Sequence, residues 1–123
     1  VTTPADELRA AAEKIRVLAA TATDGPWRQS GIGDEGWTVA SPDQFIAETE
    51  DSEKGRADAD YIAAMHLGVG LALAEALNYG AHSYDAAVEA ARRVWGDTHN
   101  EERRRFTEEK GGLPELLAVA RAL

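Results

Sequence analysis

The sequence predicts an α+β fold that is helix-dominated, with a short antiparallel β meander at about residues 26–48 packed against four to five α-helices. Three observations point there. Apolar residues recur at helical spacing near the N-terminus, at Leu8, Ala11, Ala12, Ile15, Leu18, Ala19 and Ala22. Between Trp27 and Glu48 the alanines give way to glycine, proline, tryptophan and β-branched residues, the composition of short strands and turns. From Ala59 onward alanine and leucine return at helical spacing. The expected organisation is a single domain over residues 1–123: an N-terminal helix at 3–22, the meander at 26–48, an acidic connection at 48–57 and a helical part at 58–123.

The first helix has both of its end signals. Thr3 is placed to cap it, Pro4 suits the first helical position because its missing N–H has no partner there, and Asp6 stands three residues after the cap in a capping-box arrangement. Asp24-Gly25-Pro26 stops it. Trp27–Ser30 reads as a first strand, Gly31 to Gly36 as a loop, and Trp37–Ala40 as a second strand with Trp37 and Val39 on one face. Ser41-Pro42-Asp43-Gln44 places proline at the second position of a type I turn, and Phe45-Ile46-Ala47 returns as the third strand. Such short strands need helices over one face.

Glu48 to Arg56 is charged and free of large apolar residues, which predicts a solvated connection. Asp58 or a neighbour is the expected cap of the next helix, which Ala59 to His66 continues, with Ile62 and Met65 facing inward and Tyr61 beside them. Gly68 and Gly70 predict a break near Leu67–Gly68, then a helix from Val69 to about Asn78 that Gly80 terminates. Ser83 would cap a helix from Tyr84 to Trp95 that buries Tyr84, Ala87, Val88, Ala91 and Trp95, and Gly96 would stop it. Asn100–Lys110 is helical by propensity, Gly111-Gly112 is a hinge or stop, and Pro114–Ala122 is a last amphipathic helix.

Composition narrows the chemistry. With no cysteine, the chain has no disulfide framework, thiolate zinc site or thiol nucleophile, which fits a reducing compartment. No basic-then-apolar run reads as a signal peptide, and no apolar run approaches the ~20 residues of a membrane span. The expected location is the cytoplasm. The bias to arginine over lysine and the abundance of alanine suit a high-GC genome. Residues 24–60 carry ten acids and three bases, so most of the net charge of −9 lies in one segment. A phosphate backbone would repel that segment, which argues against direct nucleic-acid binding.

No catalytic or cofactor motif emerges, and no cofactor or metal is expected. His66, His82 and His99 are too far apart to form a local ligand pair, so zinc would have to be assembled by the fold with acids such as Asp58 or Asp97. Asp58 and Asp60 read as helix-start acids. Gly31-Ile32-Gly33-Asp34-Glu35-Gly36 lacks the G-x-G-x-x-G spacing and the P-loop lysine, and its acids would repel phosphate. Ser30, Ser41, Ser52 and Ser83 include no nucleophile elbow. Arg103-Arg104-Arg105 is flanked by Glu101, Glu102, Glu108 and Glu109 at helical spacing and reads as a solvated face, with a contact patch for RNA or an acidic partner as the sharper alternative.

Two further stretches carry a resemblance. With Ala22-Thr23-Asp24-Gly25-Pro26-Trp27 and Asp58-Ala59-Asp60-Tyr61-Ile62-Ala63-Ala64, followed by Val69, Leu71, Leu73 and Leu77, the chain resembles small phage and prophage proteins of the Ead-like type and relatives from high-GC actinobacteria and their phages. The tail Ala118-Val119-Ala120-Arg121 is similar too, although the resemblance covers roughly residues 1–78. Those proteins carry a proline before the apolar helix, where this chain has Leu67-Gly68. The resemblance implies a phage or mobile-element accessory protein and brings no catalytic residue.

The resulting expectation is a non-enzymatic interaction factor that binds a protein partner, itself basic, through the acidic middle segment. The residues expected to carry binding are Trp27, Asp34, Glu35, Trp37, Glu50, Asp51 and Glu53. Acids of this kind speed encounter and select among partners, and a tryptophan rimmed by them makes a binding hot spot. Two alternatives stay open: a self-associating homo-oligomeric module, and a small-molecule enzyme that uses an Asp or Glu with a histidine.

Overall fold

Helix α1 (Pro4–Thr21) opens the chain in a computed structural model that describes residues 2–110 and 113–123. Its start is the expected capping arrangement. The Asp6 N–H donates to Thr3 Oγ1 and the Thr3 N–H donates to Asp6 Oδ2, both at 3.1 Å. That backbone hydrogen bond from Thr3, followed by the one with its side chain, holds the Asp6 carboxyl below its ordinary value of 3.8.

Strands β1 (Arg28–Ile32), β2 (Gly36–Ala40) and β3 (Phe45–Glu50) follow, then helices α2 (Glu53–Ala64), α3 (Leu67–Trp95), α4 (Asn100–Lys110) and α5 (Leu113–Ala122). The architecture is α+β and helix-dominated, with an antiparallel sheet in the order β1-β2-β3, as the sequence predicts. The chain divides into two compact units: a helical unit, formed by the residues up to Ile15 together with Leu73–Leu123, and a sheet unit, Arg16–Ala72. No single helix among the described residues is long and apolar enough to cross a membrane.

In the sheet unit Trp37, Val39, Ala47, Thr49 and Gln29 share one face by register, and α2 covers that face. The Arg56 guanidinium lies 5.0 Å from the Trp37 ring centroid, Gln29 Nε2 donates to Asp60 at 3.1 Å, and the Thr49 hydroxyl donates to the Gly55 carbonyl. Val39 and Ala59 are fully buried beneath them. Two glycines allow close backbone approaches, Gly36 between β2 and β3 and Gly55 between α2 and β3. A Cβ on Gly36 would stand 1.7 Å from the Thr49 carbonyl oxygen, and one on Gly55 would stand 1.7 Å from that of Glu50. The first turn of α2 therefore rests directly on the end of β3. A register shift between Gln29 and Ile32 is accommodated by Gly31 at φ +84°. The hairpin of β2 and β3 closes as expected, with the Ser41 hydroxyl accepting from the Gln44 N–H at 3.0 Å.

In the helical unit Ala5, Leu8, Ala11 and Ala12 of α1 pack with Ala74, Leu77 and Ala81 of α3 and Leu117 of α5. Small residues bring the helix backbones together, so the core is mainly alanine with few large side chains. Trp95 and Phe106 meet edge to face at 5.8 Å and tie the end of α3 to α4. Surface pairs join distant segments: Arg9 with Asp85, and Arg121 with Glu7 at 3.1 Å.

Several expectations need correction. The acidic stretch at 48–57 is not a solvated connection: β3 runs to Glu50 and α2 starts at Glu53, leaving only Asp51 and Ser52 between them. Ser52, not Asp58, caps α2, accepting from the Gly55 N–H at 3.0 Å. Tyr61 and Met65 are exposed. The break before α3 falls at Met65–His66, where His66 Nδ1 accepts from the Gly68 N–H at 3.0 Å. Helix α3 then runs unbroken to Trp95, so Gly80 is not a terminator and Ser83 not a cap. Gly80 is buried, and a Cβ there would come within 2.3 Å of Leu116 Cδ1, so the glycine serves helix packing. Leu18 is exposed, although the apolar stripe predicts it buried. Gly96 ends α3 at φ +60°, as expected. The hinge expected at Gly111-Gly112 lies outside the described residues.

Candidate functional site

Register decides which of the predicted contact residues meet. Gly36 pairs with Glu50, and Ile32 pairs with Trp37. The β1–β2 turn therefore carries Asp34 and Glu35 at the same end of the sheet as Glu50, Asp51 and the first turn of α2, where Glu53 stands. Glu48 belongs to this end as well: its Oε1 accepts from the Glu35 N–H at 2.6 Å and closes the turn. The Glu50 carboxylate accepts from the Ser52 hydroxyl at 3.3 Å. None of these six carboxylates forms an ion pair with a described lysine or arginine.

Among the carboxylates lies apolar surface. Ile32 is 59% exposed and Trp37 beside it is half-buried, with the Arg56 guanidinium over its ring. The arrangement suits a contact with a cationic, partly apolar surface: carboxylates at the rim, an exposed aliphatic side chain, and an indole that already engages a guanidinium. Trp27 is the exception. It precedes Arg28, which pairs with Ala40, and so lies toward the opposite end of the sheet. Its indole Nε1 donates to the Thr23 carbonyl at 2.9 Å, a structural role. Sequence reasoning missed Ile32, because a lone isoleucine between two glycines reads as loop filler until the register sets it against Trp37.

A second feature lies within the helical unit. A cavity of about 650 Å³ is lined by Tyr84, Val88 and Ala91 of α3, Arg103 and Thr107 of α4, and Leu117 of α5, with Arg104 and Arg121 also on its wall. The arginine run that reads as a solvated face thus contributes two members to a concavity. The turn geometry of a helix gives this no sequence signature, because the third arginine, Arg121, comes from another helix.

The histidines do not converge. His82 and His99 are exposed, and His66 is engaged with the Gly68 N–H. Among the described residues no group of three or more histidines and carboxylates is placed to hold a metal ion. Comparison with protein-family models, with curated proteins and with solved structures finds no match to this chain.

Proposed function

We propose that the chain is a non-enzymatic interaction factor, cytoplasmic and of phage or prophage type, that binds a basic protein partner at the acidic end of its sheet. The observation that carries this reading is the register: it gathers Asp34, Glu35, Glu50 and Asp51 around exposed Ile32 and half-buried Trp37. Unpaired carboxylates steer a basic partner by long-range attraction, and the apolar centre supplies the contact energy. The Ead-like resemblance supports the phage assignment, and the excess of acids argues for a protein rather than a nucleic acid as partner.

The test is a quintuple neutralisation, Asp34→Asn, Glu35→Gln, Glu50→Gln, Asp51→Asn and Glu53→Gln, compared with the wild type in affinity capture from nuclease-treated lysate. The expected result is a basic protein held by the wild type, released by moderate salt and lost from the folded variant. Capture of the same proteins by both chains would overturn the reading.

A further inference from the structure

We infer that the cavity of the helical unit is a binding site for a small organic carboxylate with an apolar body, held by Arg103. This inference is independent of the acidic sheet end, which belongs to the other unit.

The wall divides by chemistry. Pro4, Val88, Ala91, Pro114 and Leu117 supply apolar lining, and the arginines with Asn100 and Thr107 supply polar lining. Two of the arginines already have carboxylates: Arg121 meets Glu7 at 3.1 Å, and Arg104 meets Glu101 at 2.8 Å. Arg103 differs. One terminal nitrogen donates to the Gly96 carbonyl at 2.8 Å and the other to the Asn100 side-chain oxygen, both uncharged acceptors. Its Nε is buried and has no acceptor, the sole such side-chain atom found among the described residues. Thr107, the one buried polar residue identified there, gives its hydroxyl hydrogen to the Arg103 carbonyl at 2.8 Å, which fixes the turn that carries the guanidinium.

A half-buried guanidinium whose Nε–H is buried without an acceptor, and which pairs with no carboxylate among the described residues, calls for one negative charge. The volume lies in the range of small-molecule sites, and the apolar wall favours a hydrocarbon or aromatic body over a bare inorganic ion. One net positive charge on an apolar wall matches a monocarboxylate better than a multiply charged phosphate, whose remaining charge would stay buried without a partner.

The experiment is a titration of the full chain with sodium octanoate, followed by nitrogen-15 NMR of the arginine Nε–H signals. Octan-1-ol and inorganic phosphate serve as comparison probes. Saturable octanoate binding that shifts the Arg103 Nε–H signal is expected. The affinity should fall about tenfold or more for octanol and for Arg103→Gln, as a lost charge-assisted hydrogen bond requires. Should Arg103→Gln fail to fold, Val88→Trp, which fills the cavity and leaves its charges in place, is expected to abolish binding. Equal affinity for octanol and octanoate, phosphate binding as tight as octanoate, or no saturable binding in the millimolar range would each overturn the inference.

Discussion

The two units solve the same problem, burying enough surface with few large side chains, by different means. In the helical unit alanines carry the interface. Ala5, Ala11, Ala12, Ala74 and Ala81 surround Leu8 and Leu77. In the sheet unit Val39 is the largest fully buried side chain, and the tight contacts are made by backbone, at Gly55 where α2 meets β3 and at Gly36 where β2 meets β3. Backbone cannot rotate out of the way, whereas the end of a leucine can. The sheet unit should therefore tolerate far less change at its glycines than the helical unit does, although all three positions are buried.

The largest effect that would sharpen this contrast is expected from Gly55→Ala. The new Cβ would stand 1.7 Å from the Glu50 carbonyl oxygen, so α2 must lift from β3. A loss of about 4 kcal/mol or more is expected, placing it among the severe substitutions. Urea denaturation followed by fluorescence would read this, with Trp37 retained and Trp27 and Trp95 changed to phenylalanine so that the signal reports the sheet unit. A loss below about 1 kcal/mol would break the comparison, because it would show that the contact yields like a side chain.

A middle effect belongs to the first cap of the helical unit. Thr3→Ala removes the hydroxyl that accepts from the Asp6 N–H and should cost about 1 kcal/mol. The same cap has a pH signature. Because the folded Asp6 carboxyl lies below its ordinary value of 3.8, its contribution is complete above that value and is lost as the pH falls through the lowered one. Thermal melts of the wild type and Asp6→Asn between neutral pH and pH 3 should converge toward the acid end. Parallel curves across that range would remove Asp6 from the account.

The smallest effect is expected from Gly80→Ala. Its Cβ would meet Leu116 Cδ1 at 2.3 Å, the mobile end of a side chain, and alanine is the better helix former by about 1 kcal/mol. The two terms oppose each other, so the net change should stay within about 1 kcal/mol in either direction. Chemical denaturation beside Gly55→Ala tests the contrast in one experiment.

The difference between the units also explains where the sequence was legible. Helix α1 could be read because its capping residues and its apolar stripe are local, each visible within a few positions. The first turns of helix α2, from Glu53 to Ala57, could not, because the buried position there, Gly55, presents no side chain and the charged residues around it resemble a loop. Its cap, Ser52, was hidden in the same acidic run. Gly80 was misread for the opposite reason. Glycine at the end of a helix and glycine at a tight helix crossing are identical in one sequence, and only the position of Leu116 tells them apart.

Among the residues expected to carry binding, Asp34, Glu35, Trp37, Glu50, Asp51 and Glu53 come together because of the strand registers, while Trp27 falls at the other end of the sheet because Arg28 pairs with Ala40. By itself the sequence determined the composition-level features: the α+β class, the meander and the concentration of acid in one segment, since these depend on residue type and short-range spacing. Only the tertiary structure decided which charges converge: the acids around Ile32, and Arg103 beside Arg104 and Arg121 on a cavity wall. Convergence depends on strand register and helix packing, which are set by contacts between residues far apart in the chain and leave no periodic trace in either segment alone.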